Sequence, residues 1–348
     1  MNNIKIYNKF NFDGYIKLLT DLNIHLDIYY NPQFLEIDAR IQNGEYEIFV
    51  FKTDEFIFIY PYIKLFFREQ KFKGYFDITS PYGYSGPYST NKSVFDAGEE
   101  AFLEYISPNC ITEFVRYHFL YNEKLKFSRD IVNLKNRTIV NLDLNLTWEQ
   151  IWTKEFSGTN RNLTRKLEKE NYAFLVTDKK EDLDCFIEMY YSTMNNVAAD
   201  SFYYFDKETI RELFSSLGNK IFLAKVQKDS IVYSYSLFFI SGGVATYYLS
   251  ARNIEYPKVP ATNFLLAKAT SFLLKKNVSI FNLGGGLTDE MGDYLLKFKK
   301  NFSKRTSEFY IGKRIHNNNK YSEITEDWIS IHGNKEFESK KKILQFYR

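Results

Sequence analysis

Residues 278–303 read Val-Ser-Ile-Phe-Asn-Leu-Gly-Gly-Gly-Leu-Thr-Asp-Glu-Met-Gly-Asp-Tyr-Leu-Leu-Lys-Phe-Lys-Lys-Asn-Phe-Ser. Val278 to Leu283 is a short run of β-branched and aromatic residues, the pattern of a buried strand. It stops abruptly at Gly284, Gly285 and Gly286. Glycines there admit positive φ angles and close approach of a backbone or ligand. The following segment has helical spacing, with Leu295, Phe298 and Phe302 on one face and Lys297, Lys299 and Lys300 on its flank. A strand, a bare turn and a lysine-flanked helix can hold an anionic or acyl-bearing substrate.

Working outward, the chain of 348 residues is long enough for two ordinary domains. Hydrophobic residues at 45% and charged residues at 26% fit a globular protein and exclude a disordered one. The 33 Phe and 28 Tyr are read as genome bias. A formal charge of +3 does not suggest a general nucleic-acid binder. Two cysteines, Cys110 and Cys185, and four scattered histidines argue for a reduced cytoplasmic protein without a metal site. The first ten residues do not resemble a signal peptide, and no apolar run reaches the ~18 residues of a membrane span. The longest suspect, Phe56 to Phe67, is interrupted by Pro61 and Lys64.

In chain order, a helix is expected over Phe12 to Leu22 and a hairpin over Glu45 to Tyr60. The loop Asp77 to Tyr88 has two prolines and two glycines, which forbid a regular element. A helix follows over Ser93 to Ile106, then strands over Ile111 to Phe119 and Arg137 to Leu144. Arg116 and His118 share a strand face by period two. Thr147 is a candidate helix cap. Residues 157–171 form a helix that lines up Arg161, Arg165 and Lys169. Helices over Glu181–Met194 and Asp206–Leu217 lead to three antiparallel strands between Lys220 and Ala251. The helix Ala261 to Lys276 precedes the organising strand, and Glu308 to Lys313 is the last strand. The fold class is therefore α+β, with mixed α/β sheets in two units. The expected boundaries are 1–145, 146–315 and a polar tail at 316–348.

Several of these stretches together resemble the FemAB-like branch of the GNAT acyltransferases. They are Asp77 to Pro87 with its Ser-Pro-Tyr-Gly-Tyr core, Phe114 to His118, the arginine helix at 161–165, Leu283 to Gly286, and Phe298-Lys299 to Phe302-Ser303. The resemblance implies two tandem GNAT-like domains. Some family members move an amino acid from aminoacyl-tRNA to a peptidoglycan precursor. Others are taken to move an acyl group, usually acetyl from acetyl-CoA, to an amine in surface-sugar pathways. The sequence has no sustained heptads of the coiled-coil arm common in the first kind, and the Ser-Pro-Tyr-Gly-Tyr loop looks more like the second. The expected function is thus N-acetylation of an amino-sugar precursor, small or nucleotide-linked, by a cytoplasmic enzyme without a metal. The alternatives are an aminoacyl-tRNA-dependent transferase, the one case in which tRNA is a partner, and a non-catalytic GNAT-like glycan-binding protein. The oligomeric state is not read from the sequence.

Such a transfer needs alignment, deprotonation of the amine and stabilisation of an oxyanion, and no covalent nucleophile. His118 is the candidate general base, against the commoner structural role of a strand histidine. Asp77, Tyr82 and Tyr84 occupy the loop expected to reach the acceptor. Asp77 and Tyr84 are candidate catalytic groups, because a tyrosine can protonate a leaving thiolate. Tyr82, Arg116, Arg161, Arg165 and Gly284 to Gly286 are candidate substrate contacts, and bidentate arginines suit a diphosphate. The family match marks Lys299 for the acyl donor or its phosphate, against a solvated lysine on an amphipathic helix. In GNAT folds the donor pyrophosphate sits on a helix N-terminus. That position falls here on Ala261, Thr262 and Asn263, with Lys258 just before, and lacks the usual glycine-rich loop.

Overall fold

The computed structural model describes residues 3–106, 108–200, 204–288 and 292–348. The chain forms two compact units. Unit 1 takes residues up to Ile24, Tyr29–Asn136 and Glu308–Arg348; unit 2 takes His25–Ile28 and Arg137–Ser307.

The chain begins in unit 1 with β1 (Ile4–Tyr7), α1 (Phe12–Asp21), α2 (Pro32–Ile41), β2 (Glu45–Lys52), β3 (Ile57–Phe66), β4 (Phe76–Thr79), β5 (Tyr88–Ser89), α3 (Lys92–Ile106) and β6 (Cys110–Arg116). It passes through β7 (Ile131–Asp143) into unit 2, with α4 (Trp148–Gln150), α5 (Gly158–Lys169), β8 (Ala173–Thr177), α6 (Lys180–Asn196), α7 (Lys207–Ser216), β9 (Ile221–Lys228), β10 (Ile231–Ser241), β11 (Val244–Arg252), α8 (Ala261–Leu273), β12 (Ile280–Gly285) and α9 (Tyr294–Lys300). Then β13 (Thr306–Ile315), α10 (Asn318–His332) and α11 (Asn334–Lys340) complete unit 1.

Each unit is a mixed sheet of the same plan. In unit 1 the order is β1-β2-β3-β4-β6-β13, antiparallel except for the parallel pair β4–β6. In unit 2 it is β7-β12-β11-β10-β9-β8, antiparallel except for the parallel pair β11–β12. A parallel pair needs a crossover, and α3 and α8 supply it. Both units therefore place a helix between two parallel strands, with an antiparallel strand outside. This is the α+β arrangement expected from the sequence.

The cores follow from the apolar strands. In unit 2, α8 buries Phe264, Leu265, Leu266 and Leu273 against Ala245, Phe281 and Leu283. In unit 1, Phe95 and Phe102 of α3 pack with Phe49, Phe58, Tyr60 and Phe127. The apolar run at 56–67 is a single strand despite Pro61. Pro61 falls between the β3 residues paired with β5 and those paired with β4, so its missing N–H costs no ladder bond on that side. Among the described residues no helix is long and apolar enough to cross a membrane.

The structure corrects two expectations. The polar tail from 316 is mostly helical and belongs to unit 1, with Ile324 and Trp328 of α10 buried. The edge strand β8, absent from the sequence reading, pairs with β9. The Thr147 cap is a reciprocal capping box with Gln150.

Unit 1 also buries a charge cluster. Arg314, 2% exposed, donates to Glu113 Oε2 at 2.5 Å, Glu99 Oε1 at 2.7 Å and the Arg129 carbonyl at 2.9 Å. Tyr60 and His316 also reach Glu113. Burial alone would raise the Glu113 carboxyl, but Arg314 and His316 hold it down at about 2. Its stabilisation is complete above the ordinary carboxylate range and disappears as the pH falls toward 2. Removing one partner of a buried pair leaves uncompensated charge, so Arg314→Met should cost about 3–5 kcal/mol in urea unfolding at pH 7. A loss below about 1 kcal/mol would show that the cluster does not hold unit 1 together.

Candidate active site

The site grows from the point where β11 and β12 part. They pair in parallel at Val244–Ile280, Ala245–Phe281 and Thr246–Asn282, and not beyond. Irregularities on both strands accompany the departure: β11 skips Tyr248 in its pairing with β10, and the Asn282 side chain turns back on its own strand. Its Oδ1 accepts the Gly284 N–H at 2.7 Å, and the register against β7 slips between Asn282 and Gly284. Gly284 takes φ +78°, the left-handed region open to glycine.

Past the bulge the backbone meets α9. Asp293 caps that helix by accepting from Leu296 N at 2.7 Å, and also accepts from Leu287 N and Thr288 N at 2.6 and 2.8 Å. A Cβ on Gly286 would stand 2.6 Å from this carboxylate, so the third glycine is fixed by close approach. Burial would raise the Asp293 carboxyl, but its backbone donors hold it below the ordinary value.

Lys299, 8% exposed, points back from α9 and donates to the Gly285 carbonyl at 2.7 Å. Arg137 donates to the Gly286 carbonyl at 3.1 Å. Two successive carbonyls at the end of β12 are thus each held by a cation. Burial pulls the Lys299 ammonium down to about 7, with Asp293 opposing the shift and Arg137 adding to it. The side chain can therefore donate a hydrogen bond as an ammonium and titrate near neutrality.

Beside the parting lies a row of polar side chains in register, Asn141 on β7, Asn282 on β12 and Thr246 on β11. All three are buried, and Asn141 Oδ1, Asn282 Nδ2 and Thr246 Oγ1 have no hydrogen-bond partner. Such atoms cost about 1–3 kcal/mol each unless something completes them. At the start of α8 no side chain caps the helix. Asn263 Nδ2 donates to Asn160 Oδ1 at 3.2 Å, while the buried Asn160 Nδ2 has no partner.

The expected site residues divide between the units. Unit 2 holds Gly284 to Gly286 with Lys299, and separately Ala261, Thr262 and Asn263 at the α8 start, with Lys258 exposed before it. Arg161 Nη1 is taken up by the carbonyls of Trp152 and Phe156, and Arg165 lies 5.4 Å over the Trp152 ring. Arg161 is thus held through one nitrogen, while Arg165 is exposed. Unit 1 holds Asp77, Tyr82, Tyr84, Arg116 and His118.

Two of the unit 1 residues do not meet the catalytic expectation. Asp77 is fully buried and bonded by Arg348 at 2.7 and 2.9 Å and by Thr112 Oγ1 at 2.6 Å. It is one half of an ion pair. His118, beyond the end of β6 and 1% exposed, stacks on Tyr121 at 4.0 Å, and its Nδ1 accepts from Leu120 N and Tyr121 N. A ring so placed shapes the loop and is not open to an amine in solvent. Tyr84 packs edge-on against Phe119 and Phe309. Tyr82 is half-buried, and its N–H donates to Asp38. The sequence reading missed Asp293, Arg137, Asn141, Thr246 and Asn282. Asp293 had a signal, an aspartate just before a helical pattern.

Comparison with known proteins agrees with this layout. Residues 155–299 match the family model described as an acetyltransferase (GNAT) domain, a stretch inside unit 2 that ends at Lys299. The crystal structure of FemX aligns over 86% of this chain and 94% of its own, with TM-score 0.69 and 13% identity. The C-terminal domain of a putative lysylphosphatidylglycerol synthetase from Agrobacterium fabrum aligns over 88% and 93%, with TM-score 0.55 and 13% identity. L-PGS from Bacillus licheniformis aligns over 84% and 94%, with TM-score 0.52 and 13% identity. No curated protein matches the chain in sequence. At these identities the structural likeness is one of fold. The chain carries a GNAT domain in unit 2 and has the FemAB-like GNAT fold. The match places residues 155–299 among the acetyltransferase (GNAT) domains.

The position of Lys299 has a consequence for stability. The folded state releases this proton at about 7, whereas the ordinary value is 10.5. Between those values the unfolded chain holds more protons, so stability from this group rises with pH, by at most about 1.4 kcal/mol per unit. Lys299→Met should therefore be more stable than the parent at pH 6, and this advantage should shrink toward pH 9. Urea unfolding at both pH values measures it, and a pH-independent difference would contradict the buried-amine account.

Proposed function

We propose that the chain transfers an acetyl group from acetyl-CoA to the amino group of an amino-sugar precursor of cell-envelope polysaccharide, as a cytoplasmic enzyme. The observation that carries the acyl-transfer reading is the parting of β11 and β12 inside the GNAT-matched stretch, with the buried Lys299 at its end. The pantetheine arm of the donor lies in the parting, where its amides would meet the unpaired Thr246 and Asn282 side chains. Its phosphates take the uncapped N–H groups of Ala261, Thr262 and Asn263. The acceptor amine attacks as the free base. A C–N bond forms, and the oxyanion develops beside the Lys299 ammonium. When the intermediate collapses the C–S bond breaks. The proton of the new ammonium passes to the thiolate, leaving an amide and free CoA.

A second reading, an aminoacyl ester as donor, is favoured by a different observation. Residues 253–260 before α8 contain no glycine, so the usual phosphate loop is missing. The fold likeness to FemX and to lysylphosphatidylglycerol synthetases is compatible with that donor. The two are separated by supplying acetyl-CoA with UDP-amino sugars on one side and aminoacyl-tRNA with peptidoglycan precursors on the other. Depletion of acetyl-CoA supports the first reading, and product only from aminoacyl-tRNA replaces it with the second.

Under either donor, Lys299→Met should lower kcat/KM by about 10²–10³, the loss expected for one oxyanion donor. In the parent the rate should fall as the pH rises through about 7, where the ammonium is lost. The variant should lack that falling limb. Thr246→Val should leave the fold intact and raise the donor KM. Full activity in Lys299→Met would remove the lysine from the mechanism.

A further inference from the structure

Unit 1 repeats the plan of unit 2, but its parallel pair does not part. The pairs Phe76–Cys110, Ile78–Glu113 and Thr79–Phe114 are followed by Ser80 N donating to the Phe114 carbonyl at 2.9 Å. Arg116 N then donates to Ser80 Oγ at 2.9 Å, Ser85 N donates to the Arg116 carbonyl at 3.1 Å, and Ser85 bridges Tyr117. The loop after β4 stitches the strand ends together. Where unit 2 has Gly284, two residues past the last paired residue of the second parallel strand, unit 1 has Arg116. This end has no gap for an acyl chain, and it carries a cation.

That cation is held unusually. Arg116 is half-buried, yet Nη1 donates only to neutral oxygens, Thr79 Oγ1 at 3.2 Å and the Ser80 carbonyl at 3.0 Å. Its guanidinium lies 4.8 Å over the Phe114 ring. Among the described residues no carboxylate forms an ion pair with it, and its hydrogen bonds to them use Nη1, not Nε or Nη2. Arg314 in the same unit shows the contrast, being closed by two carboxylates. A half-buried guanidinium with an unused edge favours an oxyanion, which accepts two parallel N–H bonds. The C-terminal ends of parallel strands are where open α/β sheets bind ligands.

We propose that unit 1 is a recognition unit, in which the free edge of Arg116 binds a carboxylate or phosphate group at the ends of β4 and β6. Asp38 on α2 modulates it. This carboxyl is buried and accepts from Tyr82 N at 2.8 Å and Gln42 Nε2 at 2.7 Å. Burial raises it to about 6, with those bonds and Arg116 pulling it down. Asp38 and Tyr82 are the titratable groups that act on Arg116. Above pH 6 the Asp38 charge competes with the bound anion, so binding weakens as the pH rises.

The test is calorimetric binding to the full chain at constant ionic strength, with chloride as the reference. Sulfate is the probe across pH, because its charge is constant; inorganic phosphate and acetate at one pH decide which oxyanion is preferred. Sulfate should bind at least 10-fold more tightly at pH 5.5 than at pH 7.5. Arg116→Met should remove the component of sulfate binding that Asp38→Asn tightens at pH 7.5. Asp38→Asn should bind at pH 7.5 as the parent does at pH 5.5. If Arg116→Met does not fold, Arg116→Lys and Asp38→Asn decide, the first weakening and the second tightening binding. No sulfate binding beyond chloride, or equal binding by the Arg116 variants, overturns the proposal. Neither outcome touches the acyl-transfer reading, which rests on unit 2.

Discussion

The hydrogen bond from the Gly284 N–H to Asn282 Oδ1 is the small constraint on which the unit 2 site depends. A strand that kept its register would continue to pair with β11 and leave no opening. With that N–H turned onto a side chain, β12 slips by one residue against β7, while its pairing with β11 ends at Thr246–Asn282. Everything beyond follows from that step. The carbonyls of Gly285 and Gly286 turn toward Lys299 and Arg137, and the chain is delivered to the Asp293 cap of α9. Asn282 cannot close the opening itself, because its Oδ1 is engaged and its Nδ2 remains without a partner.

The two units show how one plan yields different chemistry. Both place a crossover helix between two parallel strands. In unit 2 the place two residues past the last parallel pair has Gly284, in the left-handed region open to glycine. In unit 1 the same place has an arginine, and a loop with two glycines in the left-handed region folds back over the strand ends. Gly86 there lies close to Tyr117 and Asn122, so a Cβ would meet both. A closed end cannot admit an acyl donor, but it can present fixed dipoles and charge. The difference lies in a few residues at strand ends and not in the topology.

The fold was legible wherever short-range pattern decides it. The strand at 278–283, the glycines after it, the β2–β3 hairpin and the Thr147 cap all rest on neighbours in sequence. The missed elements lacked that signal. β8 is an edge strand with Leu175 and Val176 exposed, so no alternation marks a buried face. α10 is polar in composition, and its Ile324–Trp328 spacing is one turn long. Among the expected site residues, the family motif named Lys299 and the glycines, which the fold brings together at the end of β12. Asp77 was not, because its partner Arg348 is 271 residues away and only folding shows that the carboxylate is already paired. The Nδ1 of His118 is taken by backbone N–H groups two and three residues on, a local fact but one of loop geometry that residue identity does not encode.

The buried amine of Lys299 shows why such a site is not optimised for stability. A lysine at this position disfavours its own charge, and an apolar side chain of similar length would fit the same space at lower cost. The carbonyl of Gly285 accepts only one of the three ammonium protons. Under the proposed reaction the remaining donors would meet the oxyanion, the condition for binding a transition state more strongly than a ground state. Asn141, Asn282 and Thr246 are each buried with an atom that the protein does not satisfy. These three residues are local violations of the rule that buried polar groups are paired, and they lie side by side across β7, β12 and β11 where the pairing of β11 with β12 ends. Where unmet hydrogen-bonding capacity, a titratable cation and a break in the sheet coincide, the protein carries a cost that a bound substrate can offset.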